Sequence, residues 1–245
     1  MRILSSNSLL FRRRYLALLL PVLAAGCAKF PDNPVGNNTR LIITMRVAGR
    51  IRNGTAPGDG GVPYHYFVAF NPSQDLFPTT TGPEPVIAPP WGNGFVAGGV
   101  THYVYYNLSQ AAPYTVNKFI SQDLHDFVTT GIPITYTDPG QTGDTISFEI
   151  DLSQITPTGI DPSTLQSVQI NFLTETNPPY QQPANKVWDA LGDSTLPSEI
   201  NEYVRIPLNI SRTYTNADYQ NVEVTGDTPD PDLDIVDWSV EVRRP

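Results

Sequence analysis

Proline constrains this chain more than any other residue type. There are 24 prolines among 245 residues, about double the usual frequency of roughly 5%, and all but Pro21 lie beyond residue 26. Proline lacks the amide hydrogen that a helix interior uses and clashes with the preceding turn. Dense proline therefore confines regular structure to short segments, strand edges and turns. Between the prolines, aromatic and β-branched residues recur in runs that alternate or are briefly continuous. The predicted strands are Leu41–Ala48, Tyr64–Phe70, Phe95–Tyr106 (bent or divided at Gly98-Gly99), Ile132–Tyr136, Thr145–Leu152, Ser167–Leu173, Glu202–Leu208, Tyr219–Val224 and Leu233–Val242. In the last run Val236, Trp238, Val240 and Val242 share one face, and Asp237, Ser239, Glu241 and Arg243 the other. Such a strand has one buried and one wet side.

Turn signals separate the runs: Asn53-Gly54, Gly58-Asp59-Gly60-Gly61, Asp138-Pro139-Gly140, Asp161-Pro162 and Gly226-Asp227. About nine to eleven short strands with this punctuation predict an all-β chain. The expected architecture is a single antiparallel two-sheet β-sandwich, jelly-roll or immunoglobulin-like, with long Pro-rich loops. One stretch leaves room for a short helix. Val116, Ile120, Leu124, Phe127 and Val128 recur at helical spacing with Gly131 placed to end it. The same stretch also reads as a strand from Tyr114 to Phe119, a turn and a second short strand.

The first segment reads as an address. Arg12, Arg13 and Arg14 precede an apolar run from Tyr15 to Ala25, too short for the roughly 20 residues that span a bilayer. No later run is long enough either. Leu23-Ala24-Ala25-Gly26-Cys27 resembles the lipobox of bacterial lipoproteins, and Cys27 is the only cysteine of the chain. The resemblance implies cleavage before Cys27 and acylation of its thiol, which anchors the protein to a membrane by its N-terminal lipid. Ala28 in place of Asp is similar to the outer-membrane default of Gram-negative sorting. Arg12-Arg13-Arg14-Tyr15-Leu16 also resembles the twin-arginine export motif, but with Phe11 where Ser or Thr is expected and Ala17 where Lys is common.

The expected organisation is a signal peptide over 1–26, a flexible tether over 27–39 and one sandwich domain over 40–245. Residues 1–26 carry four of the 15 basic groups and no acid, which leaves 11 against 24 and a net charge of −13. Four of those 11 crowd between Arg40 and Arg52. This balance argues against a general nucleic-acid partner, which needs a basic face to displace counterions from phosphates. A single cysteine excludes an intramolecular disulfide framework and a multi-thiolate zinc site.

Few residues suggest chemistry. No G-x-S-x-G elbow occurs. His65 and His102, both in aromatic strands, allow a metal pair across adjacent strands, though no H-x-H or H-x-x-x-H spacing supports one over ordinary hydrogen bonding. Glu149-Ile150-Asp151 resembles the start of the E-I-D-x-x-E signature of laminarinase- and lichenase-type glycoside hydrolases, with Ser153 and Gln154 where the proton-donating Glu belongs. The string Asp227, Asp230, Asp232, Asp234 and Asp237 points to calcium. Asp230-x-Asp232-x-Asp234 has the one-three-five ligand spacing with Glu241 at place twelve, but Ile235 occupies the place an EF-hand gives to Gly. A loop site from Asp227, Asp230 and Asp232 is the remaining calcium arrangement, and a solvated acidic loop the plain one. No other cofactor is expected.

Aromatic residues offer a binding surface. Trp91 lies in the proline-stiffened stretch Thr79 to Phe95, Tyr103 and Tyr105 form a second patch, and Tyr180 follows Pro178-Pro179. Flat rings on stiff loops suit sugar stacking. Packing under its own loop is the plain role for Trp91. Tyr66 to Asn71, Ile146 to Leu152 and the closing Asp234 to Val242 are similar to DOMON-like and family-nine carbohydrate-binding sandwiches, which implies a sugar- or haem-binding scaffold. With Met45 the only methionine past the signal segment, axial haem ligation is poorly served. The expectation is a lipid-anchored envelope sandwich that binds carbohydrate or another extracellular polymer. The alternatives are a structural or interaction component of an envelope assembly and, third, a glycoside-hydrolase-like enzyme.

Overall fold

A computed structural model describes residues 39–85, 96–108, 112–177, 187–196 and 202–245. Cys27, Trp91 and Tyr180 lie outside them. Residues Gly36–Pro245 form one compact unit. Its strands, in chain order, are β1 (Arg40–Val47), β2 (His65–Ser73), β3 (Pro83–Pro85), β4 (Val96–Gly98), β5 (His102–Tyr106), β6 (Tyr114–Phe119), β7 (Phe127–Gly131), β8 (Thr135–Tyr136), β9 (Thr145–Asp151), β10 (Ser167–Glu175), β11 (Trp188–Ala190), β12 (Val204–Pro207), β13 (Arg212–Thr215) and β14 (Ile235–Arg243). All ladders between them are antiparallel. A five-stranded sheet runs β13-β14-β1-β9-β8. A seven-stranded sheet runs β11-β10-β2-β5-β6-β7, with β12 also on β10, and β3-β4 form a separate pair. The chain is an all-β sandwich, as its sequence predicts.

The five-stranded sheet follows the alternation rule. Leu41, Ile43, Met45 and Val47 of β1, Ile146, Phe148 and Ile150 of β9, and Trp238, Val240 and Val242 of β14 all face the core. The β14 reading needs one adjustment. Between Arg46–Asp237 and Val47–Ile235 the register slips, leaving Val236 as the extra residue of a bulge. Ile235 therefore takes the fully buried place and Val236 is only half-buried. From the seven-stranded sheet, Tyr66, Val68, Phe70, Val104, Tyr106, Tyr114, Val116, Val168, Ile170 and Phe172 close the same core. Phe172 stacks on Trp238 at 5.5 Å, and burying each such side chain is worth about 1.5–3 kcal/mol.

The seven-stranded sheet is covered on both sides around β10, which is buried at all nine positions. Its outer face carries a second cluster that includes Phe67, Ala69, Tyr103, Phe119 and Leu173. Polar side chains on that face hold the stretch after β2 against it. Ser167 Oγ donates to the Asp75 carbonyl (2.6 Å), Gln169 Nε2 to that of Thr80 (2.9 Å) and Asn171 Nδ2 to that of Pro83 (3.0 Å). Buried amides persist here because their partners are built in.

Of the two readings of residues 114–131, the structure takes the second: strands β6 and β7 joined by a turn, with Leu124 at φ 58°, rather than a helix. Tertiary pairing of Tyr114–Phe119 with β5 outweighs the helical spacing. One expectation is corrected: Tyr219–Val224 is not a strand. A 3₁₀ turn covers Asn216–Tyr219, Gln220 and Asn221 take left-handed φ, and a single bridge joins Glu223 to Gly192.

Candidate functional site

The aromatic platform is only partly assembled. Tyr103 and Tyr105 lie on the outer face of the seven-stranded sheet, inside a row of stacked rings. Tyr105 stacks on Phe67 at 4.7 Å and on His65 at 5.8 Å, and Tyr103 packs on Phe119 at 5.1 Å and Phe127 at 5.6 Å. Tyr103 is 2% exposed and offers no open ring. The Tyr105 hydroxyl shares a 2.5 Å hydrogen bond with His65 Nδ1, and burial pushes its ionisation upward. The histidines do not pair around a metal. His65 joins Tyr105 at one end of β2, while His102 sits opposite Phe70 at the other, its Nδ1 2.8 Å from Thr101 Oγ1.

The glycosidase-like carboxylates are spent on structure. Glu149 accepts from Arg40 (2.8 Å) and Thr135 (3.2 Å) on the outer face of β9. Asp151 caps a short 3₁₀ turn by accepting from Ser153 N, and Gln154 Oε1 accepts in return from Asp151 N (3.0 Å). The residue standing where the catalytic Glu would be thus completes a capping box.

The acidic string is divided between two tasks, with Asp230 and Asp232 placed apart from the group that Asp227 joins. Asp230 Oδ2 accepts from the Tyr64 hydroxyl (2.7 Å), and Asp232 Oδ1 from Arg50 N (2.9 Å), fastening this loop to the residues after β1. Asp227 joins Asp189 and Asp234 instead, one carboxylate oxygen from each lying within 4.8 Å of the others. Asp189 comes from the three-residue edge strand β11 and Asp234 from the residue before β14. Asp227 sits in the turn opened by Gly226, whose N donates to both oxygens of Asp234 (2.9 and 3.1 Å). Glu223, bridged to Gly192 beside them, brings a fourth carboxylate.

All four are buried, with Asp189 at 0%, Glu223 and Asp234 at 3% and Asp227 at 8% exposure. Asp189 accepts from Ile235 N (2.7 Å), Ala190 N (2.9 Å) and Ser194 Oγ (3.0 Å). Ser194 Oγ also lies 2.7 Å from Asp227 Oδ2, so its one proton serves two acceptors. Neither oxygen of Glu223 has a hydrogen-bond partner, nor does Asp227 Oδ1. Among the described residues no lysine or arginine forms an ion pair with any of the four. Burial, followed by the charge of Asp227, pushes Asp189 up to about 7. Burial, reinforced by Asp189, Asp227, Asp234 and Asp193, holds Glu223 well above the ordinary carboxylate range, and burial also raises Asp234. Carboxylates so placed either keep protons or share a positive ion. Sequence reading missed Asp189 and Glu223. The one local signal is an acid inside the apolar run Val187-Trp188-Asp189-Ala190-Leu191.

A second feature lies on the opposite flank, where β7 and β8 end the two sheets. Ile120, Phe127, Val128, Ile132, Ile134 and Tyr136 are each at least 41% exposed. Phe127–Gly131 carries no charge and no proline, the usual guards of an open strand edge. A bulge at Thr130, where Asn117 pairs with Thr129 and Val116 with Gly131, twists only its far end.

Compared with protein-family models, curated proteins and solved structures, the chain matches none.

Proposed function

We propose that this chain is an exported, lipid-tethered protein of the cell envelope, anchored in the outer membrane. Its sandwich works by binding, as an interaction component of an envelope assembly. The observation that carries the reading is the β7–β8 flank. Unguarded edges invite pairing with another chain, and a strand this apolar is kept only where something covers it. The partner that fits is an extended polypeptide, which pairs along the outer edge of Val128–Gly131 and sets apolar side chains against Val128 and Ile134. The basic cluster, short apolar run and small residues before Cys27 support the lipid tether. Carbohydrate or another extracellular polymer is the competing ligand. Of its expected platform, Tyr103 and Tyr105 are committed to packing, which favours the polypeptide.

A photo-reactive side chain at Val128, in cells, should give a discrete adduct with an envelope protein, and Val128→Lys should abolish partner capture. Retention of the full-length protein on polysaccharide, with no protein adduct, would replace the polypeptide by a polymer. Failure of labelled palmitate to attach, with Cys27→Ser still sedimenting with membranes, would remove the lipid tether.

A further inference from the structure

The geometry points to a calcium site in which Asp189, Asp227 and Asp234 bind one Ca²⁺ and Glu223 supplies the fourth carboxylate. The acidic cluster alone does not carry this. Glu223 does, because its buried carboxylate has two unpartnered oxygens and its backbone bridges Gly192, in the loop that follows Asp189. A side chain buried to that degree without a hydrogen bond calls for a partner that the polypeptide does not supply. Asp227 Oδ1 is in the same position.

The donors select the ion. A set made of several carboxylates with no other charged partner suits Ca²⁺, which takes protein oxygens readily, better than Mg²⁺, which gives up its water reluctantly and is usually held by one or two carboxylates. The three aspartate oxygens fall within 4.8 Å of one another, close enough to share one ion. Hard oxygen donors with neither thiolate nor imidazole among them also argue against zinc and copper. Asp227 and Ser194 border a surface hollow with Val187, Trp188 and Thr228, which gives an ion a way in. Ser194 acts as a positioning residue, holding Asp189 and Asp227 side by side through one hydroxyl. The ion would join three segments that otherwise repel one another: β11 with its following loop, the Glu223 to Asp227 turn, and the start of β14.

The test uses the full-length protein, stripped with chelator and titrated with calcium chloride or magnesium chloride by calorimetry and thermal melting. Calcium should bind with a stoichiometry of one and raise the Tm, with magnesium weaker. Terbium should be sensitised by Trp188 on the rim of the hollow. Asp189→Asn should weaken calcium by roughly tenfold or more, since affinity follows the number of charged ligands, while Asp230→Asn leaves it unchanged. Glu223→Gln loses no hydrogen bond and removes the cost of burying an ionisable carboxyl. It should melt higher than wild type in chelator and gain less from calcium. A wild-type Tm indifferent to calcium, or equal weakening by Asp230→Asn, would overturn the site.

Discussion

Asp59 and Asp189 are both aspartates cut off from water, with 1% and 0% exposure, and the chain treats them in opposite ways. Asp59 sits in its glycine-rich turn, accepting from Gly54 N (3.1 Å) and Ala56 N (3.3 Å), and it pairs with Arg50, with Arg52 Nε at 3.7 Å. Hydrogen bonding from Arg50, ahead of every other influence, holds its carboxyl below the ordinary range. Asp189 has good hydrogen bonds but only acids for charged company, and burial drives it upward. In the first case the positive charge is built into the polypeptide. In the second it must come from outside, as a proton or an ion. Burial alone therefore does not say whether an acid is a structural anchor or a site. The sign of its neighbours does.

Removing the built-in charge should have the largest effect. Asp59→Asn leaves the Arg50 and Arg52 guanidinium groups without their carboxylate and should cost roughly 3 kcal/mol, as broken buried pairs do. Urea unfolding would measure it. A loss below about 1 kcal/mol would mean that the two arginines find water as readily as they find Asp59. Glu223→Gln in chelator should change stability in the other direction, by about 1 kcal/mol, because the cost of burying an ionisable carboxyl is removed and no hydrogen bond is broken. Matching signs for the two variants would erase the distinction between the regions.

Much of the first region was legible in the sequence and little of the second. Gly58-Asp59-Gly60-Gly61 announces a turn whose Asp serves its own backbone, and the crowding of Arg40, Arg46, Arg50 and Arg52 hints at a local need for positive charge. Those contacts span at most nine residues. The second region draws Asp189, Glu223, Asp227 and Asp234 from separate stretches, and no short-range pattern records that they meet. The one-three-five spacing around Asp230 misled, because hydrogen bonds to Tyr64 and Arg50 claimed Asp230 and Asp232 first. Alternation revealed β1, β9 and β14, where one face is wet. It revealed less in β11 and β13, whose three or four residues are too few to show a period.

His102 shows a third treatment of a buried ionisable group, which is to discharge it. Burial first, and Lys118 on the facing strand second, hold its pKa down to about 4. An unfolded histidine titrates near 6.5. Between those values the unfolded chain takes up a proton that the folded one refuses, so the contribution of His102 should fall as pH drops through that window, by roughly 3 kcal/mol in all, while the raised carboxyl of Asp189 acts in the opposite sense there. The contribution of Asp59 has the same sign but a lower window. Its carboxyl is held below its unfolded value, so the stability it adds is present above about pH 4 and lost as pH falls further. The stability difference between wild type and His102→Asn should therefore vary with pH in the upper window, and that for Asp59→Asn only in the lower. A difference that spans both windows for either variant would mean that the two groups are coupled.

The smallest effect should come from an acid that is neither sealed in nor unpaired. Glu149 meets Arg40 at 2.8 Å, with side-chain exposures of 13% and 45%. Water competes for such a pair, so its net worth is about 0.2–1 kcal/mol. Glu149→Gln should lower stability by no more than that and should keep the Thr135 contact through the amide oxygen. The variant also bears on chemistry, because Glu149 is the carboxylate that most resembles a glycosidase nucleophile. If the chain releases reducing sugar from a β-glucan and Glu149→Gln abolishes that release while the fold is kept, the wet face of β9 is an active site. With no hydrolysis by either protein, Glu149 is an ion-pair partner on a solvated strand, and the sealed acids beside β11 remain the ones with chemistry to explain.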